Sequence, residues 1–206
     1  MEKRFYPHSI YNFLRIAESH NSRKRILDCG AGGKDPKIAI FQEYGYELYG
    51  IDTDADQIKY AREFASKNGI KFNITEGDMR EIPFENEFFG FVMSYLSMVH
   101  LIKSDIEIAI NEIHRVLQKG GLCYINFLSK EDKGYNRSED NSFGEIKSED
   151  KGFQANHSYF KDGEPDKYFQ KFEVIYNAKI YNFIGNYHDT RRTCILDYIA
   201  KKIYSI

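Results

Sequence analysis

Apolar residues recur along the chain in two rhythms, and the change from one to the other marks the elements. Ile10, Phe13, Leu14 and Ala17 fall three and four apart, which places them on one face of a helix with Pro7 near its start. The short apolar run Arg25 to Gly30 (RILDCG) ends at glycine and reads as a buried strand. Asp35 followed by Pro36 reads as a helix start, a capping carboxylate with proline at the first helical position. Glu47 to Asp52 (ELYGID) reads as a second strand. Asp54 and Gln57 then have capping-box spacing, Ile58, Ala61 and Ala65 form an inner helical face, and Gly69 stands where that helix would end. Lys71 to Thr75 reads as a short strand, and Phe88 to Ser94 (FFGFVMS) is apolar enough for a central strand covered on both faces. Ser104 and Glu107 suggest another capping box, followed by Ile106, Ile110, Ile113 and Leu117 at helical spacing. Gly120 and Gly121 are read as the stop, and Leu122 to Leu128 (LCYINFL) as the next strand.

Strands alternating with helices over short connections predict an α/β fold: a Rossmann-like, doubly wound, mostly parallel sheet. From Ser129 to about His157 the chain turns polar, with Tyr135, Phe143, Ile146 and Phe153 as its only large apolar residues; such a stretch predicts a mobile lid or a locally disordered insertion. Phe172 to Ile184 and Thr193 to Ala200 then read as strands joined by a turn near Gly185 to Asp189, an antiparallel hairpin closing the sheet edge. The whole of 1–206 is expected to be one domain, with a helix within 1–22 and the polar insertion at 129–157.

Composition narrows the class without naming a function. A formal charge of −2 gives no general attraction to nucleic acid or anionic membrane, so neither is expected as a partner. Cys29, Cys123 and Cys194 form no CxxC pair, and their odd number argues against a disulfide framework; no metal site is expected. The first residues, MEKRFYPHS, lack the apolar region of a signal peptide, and no apolar run approaches membrane-spanning length, which together predict a soluble, cytoplasmic protein.

The chemistry-bearing segment is Asp28-Cys29-Gly30-Ala31-Gly32-Gly33, directly after the first strand. Gly30 and Gly32 allow a sharp turn and a close backbone approach to a ligand, at the end of the strand where open α/β sheets bind. Asp52 ends the second strand 22 positions after Gly30, where a carboxylate can accept from both hydroxyls of a ribose; capping the next helix is its alternative role. A dinucleotide site needs glycine at the sixth position from Gly30, and that position is Asp35, an acid unwelcome beside phosphates. The pattern therefore points to an adenosine-containing cofactor without a pyrophosphate, and weighs against a nicotinamide-dependent oxidoreductase.

In these residues the sequence resembles the class I S-adenosylmethionine-dependent methyltransferases, particularly the small-molecule group. ILDCGAGG matches their first motif, (V/I)LDxGxGxG, with one departure: the third glycine falls on Lys34 and Gly33 precedes it. GIDTD resembles the segment with the ribose-binding acid, and Glu76 to Met79 followed by IPFENEFFGFVMS resembles the adenine-contacting segment. EIHRVLQKGG, Glu112 to Gly121, resembles the stretch before the fifth strand, and Ser158 to Phe160 gives a weaker match. The resemblance implies S-adenosylmethionine as cofactor. It implies that Asp28, Gly30, Ala31 and Gly32 line its methionine portion, that Asp52 holds the ribose with Thr53 beside the adenine, and that Asp78 accepts from the adenine amino group near the Met79 amide. Ser94 and Tyr95 are implied at the methyl-transfer region.

Displacement from a sulfonium needs placement of the acceptor above all, and a base only if the acceptor must lose a proton. His100 is the candidate base and Tyr95 a candidate to orient the acceptor, each with ordinary packing as its alternative. Lys34 could meet the cofactor carboxylate, Tyr11 could close over the methionine end, and Arg191 and Arg192 read as a surface pair. Phe5, Tyr6 and Tyr11, with the aromatic residues of the polar segment, could form an apolar acceptor pocket. The expected acceptor is a small molecule whose identity the residues do not encode. A non-catalytic protein that binds S-adenosylmethionine or S-adenosylhomocysteine is the alternative.

Overall fold

Among the residues described by the computed structural model (4–135, 143–150, 153–184 and 191–203), nine strands form one mixed sheet. β1 (Arg25–Cys29), β2 (Glu47–Asp52), β3 (Phe72–Glu76), β4 (Phe89–Ser94) and β5 (Leu117–Ser129) run parallel in the order β3-β2-β1-β4-β5. Every residue of β4 is buried, as its unbroken apolar run requires of a strand covered on both faces. β8 (Phe172–Ile184) and β9 (Arg191–Lys202) form the expected antiparallel hairpin, and β9 lies antiparallel to β5. The fold class is therefore the one the alternation predicts. The expected turn at Gly185 to Asp189 falls outside the described residues.

α1 (His8–Glu18), α2 (Ala55–Asn68) and α3 (Lys103–Val116) cover the sheet. Ile10, Phe13, Leu14 and Ala17 of α1 pack on one face against Ile26, Phe91, Met93 and Tyr124, while Ile106, Ile110 and Ile113 of α3 pack on the other against Leu27, Val92 and Cys123. Each fully buried leucine, isoleucine or phenylalanine here contributes about 1.5–3 kcal/mol of hydrophobic free energy. All three cysteines are free and buried. No helix among the described residues is long and apolar enough to cross a membrane.

Four local expectations need correction. Pro36 precedes a short 3₁₀ helix, Lys37–Tyr44, and the Asp35 carboxylate pairs with Lys37 at 2.5 Å where a cap was expected. Pro36 itself is extended, with ψ 123°, so it takes the N-cap position and the helix starts one residue later than expected. Ser104 does not cap α3: its N-cap is Ile102 without a side-chain bond, and the Lys103 amide instead donates to Glu145 Oε1 at 2.8 Å. Gly120 and Gly121 lie inside β5, where the register with β4 shifts between Phe89 and Phe91, so they form an irregularity of the strand and not a helix stop. Finally, the polar segment contains an antiparallel hairpin, β6 (Glu145–Asp150) with β7 (Phe153–Phe160), and β7 joins the last two residues of β5.

Candidate active site at the carboxyl ends of the parallel strands

The ends of β1 to β4 and the loops after them enclose a cavity of about 550 Å³. Gly30, Asp52, Thr53, Asp78, Met79 and His100, which the sequence scatters over 71 positions, share its lining. This is the crevice in which open α/β sheets bind ligands.

The glycine turn forms the first wall. Gly30 has φ +87°, and its amide and that of Ala31 donate to the Ile51 carbonyl at 2.8 and 2.9 Å, drawing the loop over β2. A Cβ on Gly30 would lie 2.3 Å from the Ser97 side chain, so two loops meet there only because glycine has none. Gly32 donates to Asp52 Oδ2 at 2.9 Å, and the Asp54 amide to Asp52 Oδ1 at 3.0 Å. Each carboxylate oxygen of Asp52 keeps a lone pair for a further donor. The cap of α2 is Asp54, which accepts from Asp56 and Gln57 at 2.8 and 3.1 Å, leaving the carboxylate of Asp52 turned to the cavity lining.

The loop after β3 supplies the second wall. Asp78 accepts from the Arg80 amide at 2.8 Å and from its guanidinium Nε at 3.0 Å and Nη2 at 2.5 Å. These bonds hold its carboxyl below the usual carboxylate range. Arg80 also donates to Asp105 at 2.6 Å, fastening this loop to the first turn of α3.

The turn after β4 supplies the third. Ser94 is fully buried, its hydroxyl accepting from the Met98 amide at 3.3 Å. Leu96 is left-handed, with φ 55°, a conformation that costs a leucine about 1–3 kcal/mol, and its amide donates to Asn126 Oδ1 at 2.8 Å. The Ser97 hydroxyl donates toward the Gly30 carbonyl at 3.3 Å, joining this turn to the glycine loop. His100 packs edge-on against His157 of β7 at 4.9 Å between ring centroids; the residue stays exposed, and partial desolvation of its ring lowers its pKa against a backbone hydrogen bond with Asn156, which favours the neutral imidazole.

Asp28, Ala31, Gly32, Ser94 and Tyr95 stand behind this lining and not on it. Asp28 is 4 % exposed, and burial followed by the charge of Asp52 pushes its pKa up to about 7. Ala31 packs with Ile58 and Ala61. Tyr95 stacks on Tyr124 at 6.4 Å, and burial followed by the nearby Asp197 pushes its hydroxyl up to about 12. Lys34 lies over the Tyr60 ring at 4.9 Å, outside the cavity lining, and Tyr11 packs on Tyr6. Arg191 and Arg192 open β9. Sequence reasoning passed over Gln57, Arg80, Leu96 and Ser97, all on the lining. Gln57 was visible only as a capping residue, and nothing in the order of residues marks Leu96 as left-handed. Among the described residues, no cluster of three or more histidine, cysteine, aspartate or glutamate side chains could hold a metal ion.

A parallel core, an antiparallel hairpin at its edge and a cavity between a glycine turn and two acids make up the arrangement that the sequence resemblance implies. Residues 27–125 match the family described as "Methyltransferase domain", and over this part the chain is similar to S-adenosylmethionine-dependent methyltransferases. Sterol 24-C-methyltransferase of Pneumocystis carinii is 31 % identical over 115 residues, 54 % of this chain and 29 % of that protein. The chain matches between 29 and 49 % of the length of this relative and of the demethylmenaquinone methyltransferase of Staphylococcus carnosus. In fold, a S-adenosylmethionine-dependent methyltransferase from Methanosarcina mazei superposes with a TM-score of 0.75 at 18 % identity, covering 98 % of this chain and all of that one. A Burkholderia thailandensis 1,6-didemethyltoxoflavin-N1-methyltransferase, solved with that substrate and S-adenosylhomocysteine, gives 0.68 at 15 %, covering 96 and 79 %.

Proposed function

We propose that the chain binds S-adenosylmethionine in this cavity and transfers its methyl group to a small-molecule acceptor. The observation that carries the reading is Asp52: its carboxylate is held by the Gly32 and Asp54 amides, lines the cavity and keeps lone pairs for a ribose diol. The cavity fits the adenosyl group in other respects. The reading is supported by Asp78 and Met79, which line the same cavity and would receive the adenine amino group and a ring nitrogen, by Thr53 beside Asp52, and by the apolar surface of Ile51, Leu96 and Leu101. In this reading the methionine end lies against Gly30, with Asp28, Ala31, Gly32 and Ser94 supporting the loops from behind the lining.

The bound cofactor would supply an electrophilic methyl carbon with a neutral leaving group. The chain's part is to orient the acceptor in line, exclude water and, for an acceptor that must ionise, take a proton on His100. His100 suits that role because it lies on the cavity lining with its neutral form favoured; Tyr95, stacked on Tyr124 behind the lining, would help orient the acceptor by packing. A small acceptor is favoured by the chain's weak net charge and by the low-molecular-weight substrates named for its relatives, a sterol and a toxoflavin precursor.

Isothermal calorimetry with S-adenosylhomocysteine tests the binding half. Asp52→Ala should weaken affinity at least about tenfold through loss of charge-assisted bonds to the ribose; an unchanged affinity in folded protein removes Asp52 from the site. Methyl-labelled cofactor with pooled small-molecule metabolites tests the catalytic half. Label transferred to a small product supports an enzyme, whereas tight binding with no transfer across the pool favours the non-catalytic binder.

A further inference from the structure

Four polar side chains lie almost wholly out of water beneath the turn that follows β4. Ser9 in the first turn of α1, Tyr124 and Asn126 on β5, and Asp197 on β9 are 5, 1, 0 and 1 % exposed. Such groups are tolerated in a core only when they satisfy one another. Asn126 and Asp197 are register partners across β5 and β9, on the face that α1 covers. The Tyr124 hydroxyl donates to Asp197 Oδ1 at 3.1 Å and the Asn126 amide nitrogen donates to the Tyr124 oxygen at 3.4 Å, with Ser9 buried beside them. Burial raises the pKa of Asp197, against the hydrogen-bonding side chains around it and the nearby His8, which act to lower it.

The chain of bonds has a direction. Asn126 Oδ1 accepts from the Leu96 amide at 2.8 Å, which turns Asn126 Nδ2 toward the tyrosine and the carboxylate. Leu96 is the left-handed residue on the cavity lining, and its neighbour Ser97 touches Gly30. A leucine keeps that conformation only while its surroundings hold it there. The bond to Asn126 is the hold on its amide, and Asp197 holds Asn126 from the other side through the Tyr124 hydroxyl.

We propose that Asn126 and Asp197 are positioning residues that set the third wall of the cofactor cavity, coupling the buried polar cluster beneath α1 to the left-handed turn at Leu96. The inference rests on the reading of that cavity as the cofactor site, and none of the four side chains needs to touch the cofactor.

Two measurements separate the inference from that reading. In calorimetry, folded Asn126→Leu should bind S-adenosylhomocysteine about tenfold more weakly, the scale of leaving one buried amide unsatisfied. The exchanged pair Asn126→Asp with Asp197→Asn keeps an acceptor for Leu96 and one carboxylate in the cluster, and should recover affinity to within about threefold of the parent. Ile113→Ala, on the opposite face, should lower the melting temperature and leave affinity unchanged. Parent-like binding by Asn126→Leu, no recovery in the exchanged pair, or an equal loss in Ile113→Ala would overturn the inference. The second measurement needs no ligand: amide hydrogen exchange at Leu96 should quicken at least about tenfold in Asp197→Ala relative to the parent. If the parent fails to bind S-adenosylhomocysteine, the cofactor reading falls. If binding holds and exchange at Leu96 is unmoved by Asp197→Ala, the positioning role alone falls.

Discussion

Asp28 and Asp52 occupy neighbouring paired strands yet live in opposite surroundings. Asp52 is bonded by two amides at the cavity, whereas Asp28 is buried and its carboxyl is pushed from 3.8 up to about 7. The folded chain therefore holds a proton on Asp28 across roughly pH 4 to 7 that the unfolded chain has lost, so this group's contribution to stability falls as pH rises through that window and levels off above it. Asp28→Asn removes the dependence. Relative to the parent, the variant should be more stable at pH 8 than at pH 5 by on the order of a few kcal/mol, at about 1.4 kcal/mol for each pH unit the midpoint is raised. Urea unfolding at the two pH values reads this directly, and an equal difference at both would show that Asp28 ionises freely in the fold. Gly30 gives a second prediction at this scale. With φ +87° and Ser97 2.3 Å from a hypothetical Cβ, Gly30→Val should abolish S-adenosylhomocysteine binding, by displacing the two loops that meet there. Normal calorimetric binding by that variant would reduce the glycine to a turn residue.

At the level of elements, legibility followed whether a signal was local. ELYGID marked β2 to the residue, and Asp54 announced the cap of α2 because capping is decided within four residues. Asp54→Ala should accordingly cost about 1 kcal/mol in urea unfolding; no loss would mean that Asp52 or water takes over the first-turn amides. Ser104 misled because α3 is capped from a distance, by Glu145 of β6. That hairpin was itself hidden, since Glu145-Ile146-Lys147 alternates polar and apolar residues too briefly to stand out from a polar stretch, and pairing with β7 and β5 makes the strands. The grip of Arg80 on Asp78 and Asp105 was equally invisible, being a matter of side-chain reach across 25 positions. Those groups are partly exposed, so Arg80→Ala should cost under about 1 kcal/mol of stability. It should also let the Asp78 carboxyl titrate at higher pH, visible by NMR. An unmoved Asp78 would mean that Arg80 does not hold it in solution.

Over the whole molecule, the motifs were legible because each sits at a strand end, and the parallel topology brings strand ends together whatever the intervening sequence. Gly30, Asp52, Asp78 and His100 thus meet at one cavity although each comes from a separate loop. The same geometry means that a ligand lodged there bridges four loops that unfolding would separate. It must then stabilise the fold by mass action, by about 2.7 kcal/mol at a free concentration one hundred times its dissociation constant. For a chain of 206 residues that corresponds to a rise in melting temperature of about 5–10 °C. S-Adenosylhomocysteine should produce this rise, and NADH at equal concentration should not, because the glycine a pyrophosphate needs is replaced by Asp35. The effect should shrink in Asp52→Ala at fixed ligand concentration, since affinity alone sets its size. Stabilisation by NADH and not by S-adenosylhomocysteine would reverse the choice of cofactor while leaving the cavity and its acids in place.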